Sequence, residues 1–305
     1  MQKISFYGFA VCLLALVIIT PASSQAQTPG TSPAELRIQY EELTAPDFVR
    51  AVEKSGATAV IPMGILEKHG PHLPLGTDLL NIREVVLRAV KTEYAIVYPP
   101  YYFGQIFEAK HQPGTVAYSQ QLMWDLLQET CDELARNGIK KIILASGHGG
   151  NGNFLSYFCQ SQLAGRKDYA VFLFQPSRDP EIEARIKKMR KTTMDMHAGE
   201  RETSEMLSHH PGLVHLDQAK SESGADQKGL TDLQNAYTGI WWYGRFPNHY
   251  AGDGFLATGE LGELSVNSEA AQLARMIRSV KADSKTLELQ KRFFDSAERP
   301  LSKKR

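Results

Sequence analysis

The chain predicts an α/β fold, a three-layer α/β/α domain on a largely parallel sheet, and three observations point to it. Short apolar runs alternate with amphipathic helical patterns over most of the length, the rhythm of repeated βαβ units. Those runs read as strands buried on both faces, as a parallel sheet between helix layers requires. The 305 residues, with a hydrophobic fraction of 42%, are enough for one large domain with a substantial core, and no internal repeat divides them.

Taken in order, residues 57–66 read as a strand, and 81–92 as a helix with apolar residues at 82, 85, 86 and 89. A strand is expected over 94–99. Residues 119–137 form an amphipathic helix capped by Ser119 and closed by Gly138. Residues 140–146 read as a strand, 152–164 as a helix and 169–175 as a strand. The charged stretch 181–192 reads as a solvated helix, and 198–207 as a helix opening near a histidine-rich motif. A polar surface loop is expected over 218–234, and one long amphipathic helix over 269–294.

The N-terminus differs in kind. Met1-Gln-Lys3 is a positive start, residues 4–20 are almost wholly apolar, and small residues follow, with possible cuts after Ser24 or Ala26. This is signal-peptide anatomy. The expected organisation is a signal peptide at 1–26, a linker at 27–40, one main domain at 41–295 and a basic tail at 296–305, in a periplasmic or secreted protein without a stable membrane anchor. Cys12 lies inside the apolar run, and Cys131 and Cys159, both in helical segments, are expected as free thiols. With 34 basic and 34 acidic side chains, net charge gives no electrostatic ground for binding nucleic acid or an anionic membrane.

Chemistry concentrates in two stretches, each after a strand: Glu67-Lys-His69-Gly-Pro-His72-Leu-Pro-Leu-Gly-Thr-Asp78 and Gly147-His148-Gly-Gly-Asn151. Ligands in open α/β sheets bind just beyond the carboxyl ends of the strands. Carboxylates and imidazoles together suit Zn²⁺, with Mn²⁺ or Fe²⁺ as alternatives. Glu67 and His69, two apart on extended chain, point to the same side. A carboxylate such as Asp78 can bridge two cations, which an imidazole cannot. There is no H-E-x-x-H, no Cys-x-x-Cys, no phosphate-loop G-x-x-x-x-G-K-[ST] and no G-x-S-x-G elbow. The alternative is an exported metal-binding or sugar/nucleotide-phosphate-binding protein without hydrolase activity. Trp241-Trp242-Tyr243 reads as a pocket wall, a subunit contact or core.

E-x-H-G-x-H-L-P-x-x-x-D, then G-H-G-G-N, then His197-Ala-Gly-Glu-Arg-Glu202-Thr-Ser, together resemble the creatininase (creatinine amidohydrolase) family. The resemblance extends to Lys110-His111-Gln-Pro-Gly-Thr115, similar to the family's H-x-x-P-G-T loop. It implies a creatininase-like fold and hydrolysis of a cyclic amide or related C–N bond by metal-activated water. One or two divalent cations per subunit are implied, the first held by Glu67, Asp78 and His148 and the second by His69 and Asp78. In the family a carboxylate lies two residues after the motif histidine, where this chain has Gly150; Glu202 is expected to take up part of its role as a metal ligand, the alternatives being Glu200 or a weak, partly water-filled second site. His197 aligns with the acid/base, assisted by Glu202. Asp195, His72 and His111 are expected to orient substrate or ligands, with bracing of the loop as the alternative for His72, and His111, Trp241 and Trp242 to contact a small-molecule substrate. A homo-oligomer, as a hexamer, is implied by resemblance alone.

Overall fold

Four short runs rich in β-branched and aliphatic residues pair side by side, all in parallel, in the order β2-β1-β3-β4. They are β1 (Thr58–Met63), β2 (Ile96–Val97), β3 (Lys141–Ser146) and β4 (Ala170–Leu173). The structure is a computed structural model and describes residues 36–177 and 179–301. The signal peptide expected at 1–26 lies outside these residues.

Every residue of β1 is buried, because both sheet faces are covered. Successive side chains go to opposite faces. Val60, Val97, Ile143 and Ala145 face one core, with α2 (Thr77–Thr92) and α8 (Gly259–Ala282) over them. Ala59, Ile61, Met63, Ile142 and Leu144 face the other, covered by α1 (Ala45–Lys54), α3 (Gln120–Arg136) and α4 (Asn151–Ser161). The expected three layers are therefore present. The remaining helices are α5 (Pro180–Met189), α6 (Glu200–His209), α7 (Trp241–Arg245) and α9 (Lys285–Ala297).

Ser119 caps α3 as expected, its hydroxyl accepting from the Leu122 N–H at 3.3 Å. The stretch 36–40, expected as linker, instead joins the sheet edge, where the Val97 N–H donates to the Ile38 carbonyl at 2.8 Å. The single C-terminal helix expected over 269–294 is two. Asp283 interrupts it by accepting the Lys285 and Thr286 N–H groups at 3.0 and 3.3 Å, a local bond that competes with the helical one. Cys131 and Cys159 are free thiols, Cys131 on the buried face of α3. Among the described residues no helix is long and apolar enough to cross a membrane.

Three features position the functional edge. Met63 and Ser146 are register partners at the ends of β1 and β3, so both motif loops leave the sheet side by side. Helix α2 begins earlier than the periodicity predicts, putting Asp78 in its first turn rather than in the preceding loop. At Gly147 the chain passes so close to that turn that a Cβ would lie 2.2 Å from the Asp78 carbonyl oxygen.

Candidate metal centre

Glu67, Asp78 and His148 converge from two strand ends and a helix N-terminus, and all three are buried. His148 Nδ1 is 2.8 Å from Glu67 Oε1 and 3.2 Å from Asp78 Oδ2. Yet neither oxygen has a hydrogen-bond donor aligned with it, although both are shut off from solvent. Buried polar atoms are seldom left so. Lone pairs gathered around one point without a donor are what a divalent cation would satisfy. This donor set, two carboxylates and an imidazole, fits such an ion.

The other Asp78 oxygen faces a second group. His69 Nε2 lies 3.0 Å from Asp78 Oδ1, while its Nδ1 is 3.1 Å from the Glu67 backbone carbonyl. A carbonyl only accepts, so Nδ1 carries the proton, and Nε2 presents its lone pair to Asp78 unless the ring is doubly protonated. Anchoring one ring nitrogen on a carbonyl is the usual way a ligand histidine is aimed. Glu67, His69 and His197 also bring ligand atoms within 4.8 Å of one another. His197 Nε2 donates to the Lys68 carbonyl at 2.8 Å and sits 4.0 Å from Glu67 Oε2.

The protonation balance reflects these carboxylates. Burial opposes charge on His69, but Asp78, Glu67 and Glu202 outweigh it and raise the ring to about 9. His148 is held well above the ordinary imidazole range by Glu67 and Asp78, again against burial. Burial also opposes ionisation of Glu67, but His148 and His197 depress it well below the usual carboxylate range. Burial dominates at His197, pushed down to about 3 and so neutral, and at Glu202, pushed up to about 8.

These shifts predict how the metal-free protein responds to pH. A histidine raised in the folded state contributes stability that is complete below its unfolded value near 6.5 and disappears as pH rises through about 9. Glu202 acts in the same direction, since the folded chain holds its proton up to about 8. Chelator-treated protein should therefore melt at a lower temperature near pH 9 than near pH 6. Added Zn²⁺ should reverse the trend, because the cation replaces protons on the same atoms. A metal-free melting temperature that rises across this window would contradict the assignment.

Helix α6 follows a tight His197–Gly199 segment. His197 and Ala251 exchange backbone hydrogen bonds at 3.1 and 3.0 Å, and Ala198 adopts φ 54°. Glu202 stands in the first turn of α6, in neither ligand group: its Oε2 accepts from the Ala198 N–H at 2.5 Å. Glu200 points away and accepts the Lys191 and Thr192 N–H groups. Asp195 caps the same helix through the Arg201 N–H at 3.2 Å, and His72 bonds Thr203 Oγ1 at 2.8 Å, so both brace α6 against the loops.

A cleft of about 1370 Å³ opens over this centre, and His111, Trp241 and Trp242 line it. His111 is exposed and bonds the Pro247 carbonyl at 2.7 Å. Trp242 reaches deeper: its indole N–H donates to His249 Nδ1 at 2.8 Å, and His249 Nε2 in turn donates to Glu67 Oε2. His249, buried with φ 55°, is the residue that sequence reasoning missed; it lies in no motif, and only its place behind Trp241-Trp242-Tyr243 hinted at it. The chain Trp242–His249–Glu67 turns one Glu67 oxygen away and leaves the other facing His148.

A family model described as Creatininase: Creatinine amidohydrolase matches residues 41–277. A creatinine amidohydrolase from Pseudomonas putida is 29% identical over 190 residues, covering 58% of this chain and 73% of its own. A 3-dehydro-scyllo-inosose hydrolase from Thermotoga maritima is 24% identical over 240 residues, 72% of this chain and 76% of its own. Among solved structures, a two-zinc form of a creatininase mutant superposes with a TM-score of 0.66 at 24% identity, covering 81% of this chain and 99% of that one.

Proposed function

The chain belongs to the creatinine amidohydrolase family of metal-dependent hydrolases, and from that premise we propose that it hydrolyses a C–N bond in a compact cyclic amide or a related molecule. Asp78 is the observation behind this assignment. Its Oδ2 faces His148 and its Oδ1 faces His69, so one buried carboxylate addresses two ligand groups at once. Glu67, Asp78 and His148 would hold one divalent cation, Zn²⁺ or Mn²⁺, and His69 with Asp78 a second. When bound, the cation supplies Lewis-acid polarisation of a carbonyl and a lowered pKa for water.

The chain's own residues supply the rest. His197 has its Nε2–H fixed on the Lys68 carbonyl, which leaves Nδ1 as the acceptor nitrogen that would take a proton and return it to a leaving nitrogen. Glu202 holds its proton up to about 8 next to this centre and is placed to assist. His111, Trp241 and Trp242 form the cleft wall that orients the substrate and limits water. The domain at 41–295, export by cleavage after Ser24 or Ala26, and assembly as a homo-oligomer belong to the same proposal. N-terminal sequencing and light scattering test the last two.

The direct test is metal analysis of the purified protein combined with turnover on a panel of cyclic amides and short peptides. Stoichiometric Zn²⁺ or Mn²⁺ and chelator-sensitive hydrolysis of a ring amide are expected. Stoichiometric metal without turnover on any amide would sink the C–N assignment, and absence of bound metal would sink the centre.

A further inference from the structure

His148 presents one nitrogen to the ligand group and buries the other. Its Nε2 is shut off from solvent and has no hydrogen-bond partner. With Nδ1 directed at Glu67 and Asp78, Nε2 is the nitrogen that carries the ring's proton, and a buried N–H of this kind needs an acceptor. Gly150 stands immediately in front of it. A Cβ at that position would lie 2.4 Å from His148 Nε2, which no side chain permits, and 3.0 Å from Glu108 Oε1. The missing side chain thus opens a gap with His148 on one side and a carboxylate on the other.

Glu108 is held toward that gap by its own loop. It sits on the 3₁₀ turn Phe107–Ala109, where Gln105 Nε2 donates to its Oε1 at 3.3 Å. The Gln105 N–H donates to Asn151 Oδ1 at 3.0 Å, and Asn151 Nδ2 donates to Ser146 Oγ at 3.1 Å. The loop bearing Glu108 is therefore tied to the same strand end that launches His148. No motif links the two residues; they meet only in the folded chain.

We propose that Glu108 is the positioning residue for His148, its carboxylate moving up past Gly150 to accept the Nε2 proton when the cation is bound. This rests on the proposed binding of a cation by His148. A carboxylate behind a ligand histidine fixes its tautomer and raises its donor strength, and loss of such a partner typically weakens metal binding about 10–100-fold. Gly150 is then required for this arrangement. A glutamate built at 150 would not reproduce it, since its Cβ already overlaps the His148 ring.

The experiment is competitive Zn²⁺ titration against a chromophoric chelator, with the absorption spectrum of the Co²⁺-loaded protein as a second readout. It compares wild type, Glu108→Ala and Glu108→Gln. Glu108→Ala should weaken the site built on Glu67, Asp78 and His148 about 10–100-fold and shift the Co²⁺ spectrum. Glu108→Gln, which keeps an acceptor oxygen, should lose less, and the melting temperature of the metal-free protein should stay where it is in both variants. Unchanged affinity in Glu108→Ala would overturn the proposal while leaving the centre intact. Loss of one metal equivalent with the other unaffected would overturn it in favour of direct ligation. A parallel fall in metal-free stability would reduce Glu108 to a structural prop. Absence of Zn²⁺ binding by the wild type would overturn the centre itself, and this role with it.

Discussion

Asp78→Ala is expected to abolish binding at both ligand groups and to remove activity, an effect well beyond the roughly 10–100-fold that loss of a group behind the ligands costs. The reason is geometric. Oδ1 lies 3.0 Å from His69 Nε2 and Oδ2 lies 3.2 Å from His148 Nδ1, so the one carboxylate stands between both histidines. Asp78→Asn is the sharper variant, because it keeps the volume but turns one of the two acceptors into an NH₂ donor facing a histidine. It should lose most of the bound metal with little change in the fold. By contrast, His111→Ala, at the cleft wall, should change turnover and leave metal content near that of the wild type. Metal analysis and turnover on the same preparations decide the matter: full occupancy in Asp78→Ala would refute the shared-ligand assignment.

Gly147→Ala is expected to be the most damaging change that touches no functional side chain. Its Cβ would sit 2.2 Å from the Asp78 carbonyl oxygen and 3.1 Å from the Ile82 Cβ, against helix backbone that cannot rotate away. Overpacking of this kind costs about 1–3 kcal/mol, and more where backbone must move. For a chain of this size each kcal/mol lowers the melting temperature by about 2–4 °C. The relief available is to push the first turn of α2 outward, which carries Asp78 away from His148, so metal content should fall together with stability. Gly152→Ala is the matched control, since nothing lies within 4 Å of its added Cβ and it stands within α4. There alanine should be neutral or stabilising by up to about 1 kcal/mol. Equal melting temperatures for the two variants would show that α2 does not depend on the close approach at 147.

Local chemistry made much of this legible in advance. Ser119 caps α3 because a hydroxyl placed before an amphipathic run has one nearby job, which is to take the Leu122 N–H. The buried runs of β1 and β3 declare a parallel sheet because only a doubly covered strand dispenses with polar alternation. Glu67, His69, Asp78 and His148 stood out because carboxylates and imidazoles gathered at strand ends suit few uses other than ligation. Helix limits were less legible. Asp283 splits the C-terminal helix through a bond that competes on nearly equal terms with continuing it, and α2 starts early because Thr77 and Asp78 are held by contacts outside the helix.

The sequence by itself therefore determined the layers, the strand-end location of the centre and the ligand candidates, because each follows from periodicity or residue chemistry within one short stretch. Tertiary structure alone decided the partners. His249 reaches Glu67 across 182 positions, Asp195 and Glu200 turn out to serve backbone N–H groups, and Glu108 and His148 come to lie on either side of Gly150. The same holds for the glycines of the G-H-G-G-N segment. Gly147 and Gly150 are required by what packs against them, whereas no atom lies within 4 Å of a Cβ at Gly149. Such distinctions depend on which distant atoms approach within a few ångströms, and no local pattern encodes that distance.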